Sequence, residues 1–153
     1  MHIKDVRGLW SVMLLCAMLA GCESSVTGGV AGDSMENAEH VADSYYQALK
    51  NKDFDKASTY FLSTGVKPQG AWRDELKDDS NKFGALQSYK LVAKESDSGT
   101  TANRYTLQYK TTYSKATAHE TLIIFIKSTP FADNSGSKML IDNLNIHPEG
   151  RGG

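Results

Sequence analysis

Apolar residues fall at Ala38, Val41, Ala42, Tyr45, Tyr46, Ala48 and Leu49. That i, i+3, i+4, i+7 spacing predicts an amphipathic helix. Ser34 stands where its hydroxyl can cap the first turn, with Asn37 three residues on. Asn51-Lys52-Asp53 breaks the pattern, and Asp53 can cap a second helix whose buried face is Phe54, Ala57, Tyr60 and Phe61. Gly65 and Pro68 end that helix. Residues 69–76 predict a third short helix with Trp72 and Leu76 pointing one way, and 78–84 reads as a polar loop.

After Gly84 the period changes from helical to alternating. Residues 88–94 place Tyr89, Leu91 and Ala93 on one face, and Ser96-Asp97-Ser98-Gly99 is a turn. Tyr105, Leu107, Tyr109, Thr111 and Tyr113 then alternate with polar residues, which predicts a long half-exposed strand. Residues 117–127 form another strand, apolar on both faces through Leu122-Ile123-Ile124-Phe125-Ile126, so it belongs in the sheet interior. Asp133-Asn134-Ser135-Gly136 is the next turn, and 139–146 is the last strand. Helices followed by an antiparallel four-stranded meander predict an α+β domain with the helices packed on one sheet face.

The N-terminus follows a different rule. Lys4 and Arg7 precede an apolar stretch from Gly8 to Ala20, the order of a signal peptide. The stretch is too short to span a membrane, which needs about 20 predominantly apolar residues. It ends in Leu19-Ala20-Gly21-Cys22, which resembles the bacterial lipobox. The resemblance implies cleavage before Cys22 and acylation of its thiol. A thiol receives the lipid, and small residues ahead of it let the peptidase reach the bond. Glu23, rather than Asp, after the cysteine resembles an outer-membrane lipoprotein facing the periplasm. Cys16 lies in the removed segment, so the mature chain has no pair for a disulfide. Residues 1–21 are thus expected to be the signal peptide, and 22–34 the lipidated cysteine and a Gly/Ser-rich tether. A spacer of that composition spans roughly 20 Å. One domain follows at 35–148, of a size to bury a single core, and 149–153 is expected to be a disordered tail.

Charge narrows the partners. Residues 1–21 take Lys4, Arg7 and Asp5 from a total of 17 basic and 18 acidic side chains, leaving 15 against 17. A near-neutral chain without a basic stripe argues against nucleic acid. Lys50, Lys52 and Lys56 alternate with Asp53 and Asp55 and read as a solvated face. His40, His119 and His147 are widely spaced and lack cysteine partners, so neither a metal site nor a cofactor is expected.

The Tyr45-Tyr46 pair, the phrase Lys52-Asp53-Phe54-Asp55-Lys56-Ala57, and the run Trp72, Leu76, Gly84, Tyr109 to Tyr113 and Glu120 resemble the nuclear-transport-factor-2-like superfamily. They are most similar to its small secreted bacterial members, over about residues 36 to 147. Lys138-Met139-Leu140-Ile141 stands where those members often place a Trp. The resemblance implies a cone, a curved sheet wrapped around helices. It implies no single function, because the scaffold hosts isomerases, dehydratases and binding modules.

An enzyme of this fold would need acid–base groups inside the cone, and Tyr46, Tyr60, His119, Glu120 and Asp142 are the candidates. His119 and Glu120 are neighbours on a strand, so only one of them can point inward. Both are expected to be polar residues near the sheet rim. Tyr105, Tyr109 and Tyr113 share a strand face that can line a groove or pack on the helices. With no acid–base pair, nucleophile set or metal cluster apparent, the expected function is a non-catalytic, membrane-anchored module. Its partner would be a small apolar ligand, a periplasmic protein or a second copy of itself. An isomerase-like enzyme and an assembly lipoprotein acting through its sheet face are the alternatives.

Overall fold

A computed structural model describes residues 34–98, 103–127 and 138–150; the expected signal peptide, the lipobox-like stretch and most of the expected tether lie outside them. Three helices precede four strands: α1 (Met35–Lys50), α2 (Phe54–Ser58), α3 (Gln69–Phe83), β1 (Leu86–Ser98), β2 (Asn103–Tyr113), β3 (Thr117–Lys127) and β4 (Lys138–Pro148). The strands form one antiparallel sheet in the order β1-β2-β3-β4, and the helices pack on its inner face. The fold is α+β. No described helix is long and apolar enough to cross a membrane.

Ser34 caps α1, its Oγ accepting from Asn37 N at 3.1 Å. All seven apolar positions of the helical stripe are buried. They meet Tyr105, Leu107, Tyr109 and Tyr113 of β2, Leu122 and Ile124 of β3, and Met139 and Ile141 of β4 in one core. Among the described residues every member of that core lies between Ala38 and Ile141, so the chain from Ser34 onward carries this core. β3 is an interior strand, as its doubly apolar middle requires. Register shifts at Leu86/Ser88, Leu91/Ala93 and Ile123/Ile124 mark β-bulges, which bend the strands that carry them.

Several boundaries differ from expectation. α2 ends at Ser58 rather than running to Gly65. Tyr60 and Phe61 are buried as expected, but in a turn that ends in a parallel bridge from Phe61 to Ile141 of β4. Ile141 N donates to Tyr60 O and Leu62 N to Ile141 O, each at 2.8 Å. The sheet edge outcompetes another helical turn. α3 continues to Phe83, through most of the 78–84 stretch expected to be a polar loop. One stripe, Trp72, Leu76, Asp79 and Phe83, suffices to hold it, and the rest of the helix is polar. β1 reaches Ser98, through the expected turn, and its bulge at Leu91/Ala93 leaves Ala93 exposed. Glu149, expected in a disordered tail, is tied down. Its N–H donates to Thr117 O, and its Oε1 lies 2.9 Å from both Lys110 Nζ and His119 Nε2.

Candidate functional site

Alternation on β3 turns Glu120 inward with Ala118, Leu122 and Ile124, and sends His119 to the outer face. The expectation that Glu120 is a rim residue is therefore wrong: its side chain is fully buried. The signal was present in its own strand, where Glu120 shares a face with Leu122 and Ile124. His119 is exposed, opposite His147 in register and bonded to Glu149. Asp142 is exposed at the β4 bulge, away from the interior.

Three hydroxyls converge on the buried carboxyl. Glu120 Oε2 accepts from Tyr46 at 3.1 Å, and Oε1 accepts from Thr111 at 2.8 Å and from Tyr113 at 2.5 Å. Thr111 and Tyr113 sit on the inner face of β2, and Tyr46 reaches down from α1. Burial raises the Glu120 pKa, against the three hydroxyl bonds that pull it down. Burial first, then the nearby carboxyl, pushes the Tyr46 and Tyr113 phenols well above their ordinary range. The tyrosines thus remain neutral donors at any ordinary pH.

Tyr46 also joins an aromatic layer. Its ring stacks on Tyr89 with centroids 4.6 Å apart and tilts against Tyr109 at 4.7 Å. Tyr89 donates to Asp43 Oδ1 at 2.5 Å, and burial with that bond pushes its pKa up to about 12. Tyr105, Tyr109 and Tyr113 all face the helices, and Tyr60 is buried with its carbonyl accepting from Ile141 N of β4. None of these tyrosines lines an outer-face groove. On that outer face Ile123, Phe125 and Leu140 are half-buried. The large exposed hydrophobics among the described residues are Val66, in the α2–α3 loop, and Val92 on β1.

A cleft opens where the C-terminal ends of α1 and α3 meet the β1–β2 end of the sheet. Leu49, Phe54, Leu76, Leu86 and Ile146 make it apolar, and Tyr45, Asp79, Ser80 and Tyr113 supply its polar atoms. Its interior leaves about 10 Å³, room for about one water. Tyr113 lines this cleft with Glu120 behind it. Asp79 is half-buried with a raised pKa, burial being the main cause and the neighbouring Glu75 the next. Asp79 escaped the sequence reading because α3 was read as ending before residue 78, and Tyr45 was read only as part of the α1 stripe and the Tyr45-Tyr46 pair. Among the described residues no group of three His, Cys, Asp or Glu side chains is placed to hold a metal ion.

No protein-family model and no curated protein matches the sequence. Among solved structures, Bdellovibrio bacteriovorus Bd1075 is similar with a TM-score of 0.51 at 13% identity, over 76% of this chain and 41% of that one. A structure from Catenulispora acidiphila is matched at a TM-score of 0.48 and 12% identity, over 72% of this chain and 88% of that one. The chain thus spans less than half the length of Bd1075. At such identity the likeness concerns the fold alone.

Proposed function

We propose that this chain is a membrane-anchored lipoprotein of the bacterial envelope whose domain, of the nuclear-transport-factor-2-like type, is a non-catalytic binding module. The observation that carries the non-catalytic part is the closure around Glu120. Its oxygens are taken by Tyr46, Thr111 and Tyr113, and the adjoining cleft has about 10 Å³ to offer a substrate. A general base must come within hydrogen-bond reach of the proton it takes, and here side chains occupy that space. The cluster reads as a polar core element that fixes β2, β3 and α1 in one arrangement. The anchor rests on Leu19-Ala20-Gly21-Cys22 and the charged and apolar segments ahead of it. A glycine- and serine-rich spacer then separates lipid from domain, which suits a module that reaches its partner from the outer membrane.

Growth of the source bacterium with a labelled palmitate analogue tests the anchor. Label is expected on the native chain and absent from Cys22→Ser. An unlabelled native chain would remove the lipoprotein reading. Native mass spectrometry of residues 34–153 tests the module. A retained small molecule or protein partner is the expected result, and a bare chain that turns over a small carbonyl substrate would replace it.

One observation favours a second reading. Tyr113 lines the cleft and donates to a buried carboxylate, an arrangement that can relay a proton between Glu120 and a ligand at the cleft. An isomerase-like enzyme would use it after the cleft opened. Loss of turnover in Tyr113→Phe, with the fold intact, is the signature that would distinguish it.

A further inference from the structure

Next to the narrow cleft lies a roomier groove of about 370 Å³, and three lysines from three separate elements line it. Lys52 comes from the α1–α2 junction, Lys77 from α3, and Lys115 from the β2–β3 turn. Ser80 and Asn81 add polar atoms on the same face of α3 as Lys77. No carboxylate lines it. Among the described residues none of the three ammonium groups is in an ion pair, whereas Lys67, Lys94 and Lys110 each have an acidic partner. A neighbouring groove of about 490 Å³ shares Lys115 but contains Glu149, which Lys110 and His119 already engage.

Two of the lysines, Lys52 and Lys115, have their backbone positions fixed. α1 ends with Lys52 N donating to Leu49 O and Asp53 N donating to Ala48 O, each at 2.9 Å. That pair of bonds is the Schellman ending, which places its next residue in left-handed backbone and favours glycine there. Lys52 occupies the position with φ 57°, the one described non-glycine residue with positive φ. A lysine at a glycine position carries conformational strain, and its side chain lines the groove. Lys115 is fixed from the other side. Its N–H donates to Phe83 O, its Nζ donates to Asn81 O at 2.9 Å, and Ser114 N donates to Ala85 O. Gly84 permits this approach, because a Cβ there would collide with Ser114 Oγ. Strain and locking are unnecessary for lysines on an ordinary solvated face.

We propose that this groove is a binding site for a phosphate group, held by the Lys52, Lys77 and Lys115 ammoniums. Lysine meets phosphate as a point charge, and three of them without an acid complement a dianion. Phe54 and Ser80 belong to both the groove and the apolar cleft, so an apolar substituent on the phosphate has a surface to follow. The site lies at the C-terminal end of α1. A helix of 16 residues puts it ~24 Å from Ser34, turned away from the tethered end. This deepens the binding-module reading and rests on it, but a failure here leaves the palmitate test of the anchor untouched.

Calorimetric titration of residues 34–153 with inorganic phosphate, and with short-chain phosphatidic acid and phosphatidylcholine below their micelle concentrations, tests it. Phosphatidic acid or inorganic phosphate is expected to bind and phosphatidylcholine to bind at least ten-fold more weakly. Tighter binding of phosphatidic acid assigns the site to a lipid headgroup, and equal binding assigns it to the free ion. Lys52→Gly is expected to weaken binding at least ten-fold while raising the melting temperature, so a folding defect cannot explain the loss. Lys115→Gln should weaken it similarly. Lys90→Gln, which removes an equal charge from exposed β1, should leave it unchanged. The proposal is overturned if neither phosphate ligand binds, or if Lys52→Gly and Lys90→Gln bind alike.

Discussion

Tyr113 and Glu120 come from adjacent strands, seven residues apart in the chain, and meet in a 2.5 Å hydrogen bond inside the core. The β2–β3 turn between them makes the meeting possible, and the pairing of Tyr109 with Glu120 sets its register. Tyr46 then closes the opposite carboxylate oxygen from α1. A buried charge with this many donors is tolerable, and one with fewer would be costly. The cluster therefore ties helix and sheet together by polar contacts that accept only one arrangement.

Its titration has a definite sign. Burial raises the Glu120 pKa above the unfolded value, so the folded state holds the proton more tightly. Stability contributed by Glu120 is then fully present below the unfolded pKa and declines as pH rises toward the folded one. Glu120→Gln removes that dependence. Urea midpoints of both proteins between pH 4 and pH 8 are expected to show the wild type losing ground to the variant as pH rises. A constant difference across the range would mean that burial does not perturb this carboxyl.

Removing single donors should be graded. Tyr113→Phe deletes the 2.5 Å bond, and Tyr46→Phe deletes one of 3.1 Å. Hydrogen bonds to charged groups contribute about 1.5–3 kcal/mol. Tyr113→Phe is expected near the upper figure and Tyr46→Phe near the lower, as read from equilibrium denaturation at pH 7. The reverse order would mean that the longer Tyr46 bond contributes more than the shorter Tyr113 bond.

Much of the fold was legible because periodicity reports burial. The stripe from Ala38 to Leu49 and the alternation from Tyr105 to Tyr113 match the buried faces residue for residue. Periodicity does not report competition between elements. Tyr60 and Phe61 fit a helical face as well as an extended one, and only Ile141, eighty residues on, decides between them. Nor does it show that α3 can be held by three buried apolar residues, Trp72, Leu76 and Phe83. The candidate site suffered most. Glu120 was visible as a residue that alternates with Leu122 and Ile124, but its three donors come from two other elements, α1 and β2. The lysine groove is likewise assembled from residues 52, 77 and 115, and no local spacing announces it.

Gly84 is expected to be intolerant of a side chain. Its φ of 87° is a conformation that L residues rarely adopt, and a Cβ would strike Ser114 Oγ. Left-handed strain alone costs about 1–2 kcal/mol, and the collision adds to it. Gly84→Ala should lose at least ~2 kcal/mol in denaturant titration. Ser114→Ala, which removes the colliding atom along with its bond to Ala85 N, should recover part of that loss when combined with it. Simple additivity of the two changes would show that the contact is not what Gly84 protects.

Lys52 makes the opposite prediction at the other side of the groove. Its backbone already has the geometry that a Schellman ending gives to glycine, with both bonds formed. Lys52→Gly therefore removes left-handed strain without moving the chain, though it also gives the unfolded state more freedom. The strain is about 1–2 kcal/mol and the added freedom opposes it by about 0.4–1 kcal/mol. A net gain of about 0–1.6 kcal/mol is expected, visible as a higher denaturation midpoint with an unchanged slope. Lys52→Ala keeps the strain and discards the charge, so it should show no such gain. If Lys52→Ala stabilises as much as Lys52→Gly, the benefit comes from relieving repulsion among the groove lysines rather than from backbone strain. The two variants thus separate what the position costs in conformation from what it costs in charge.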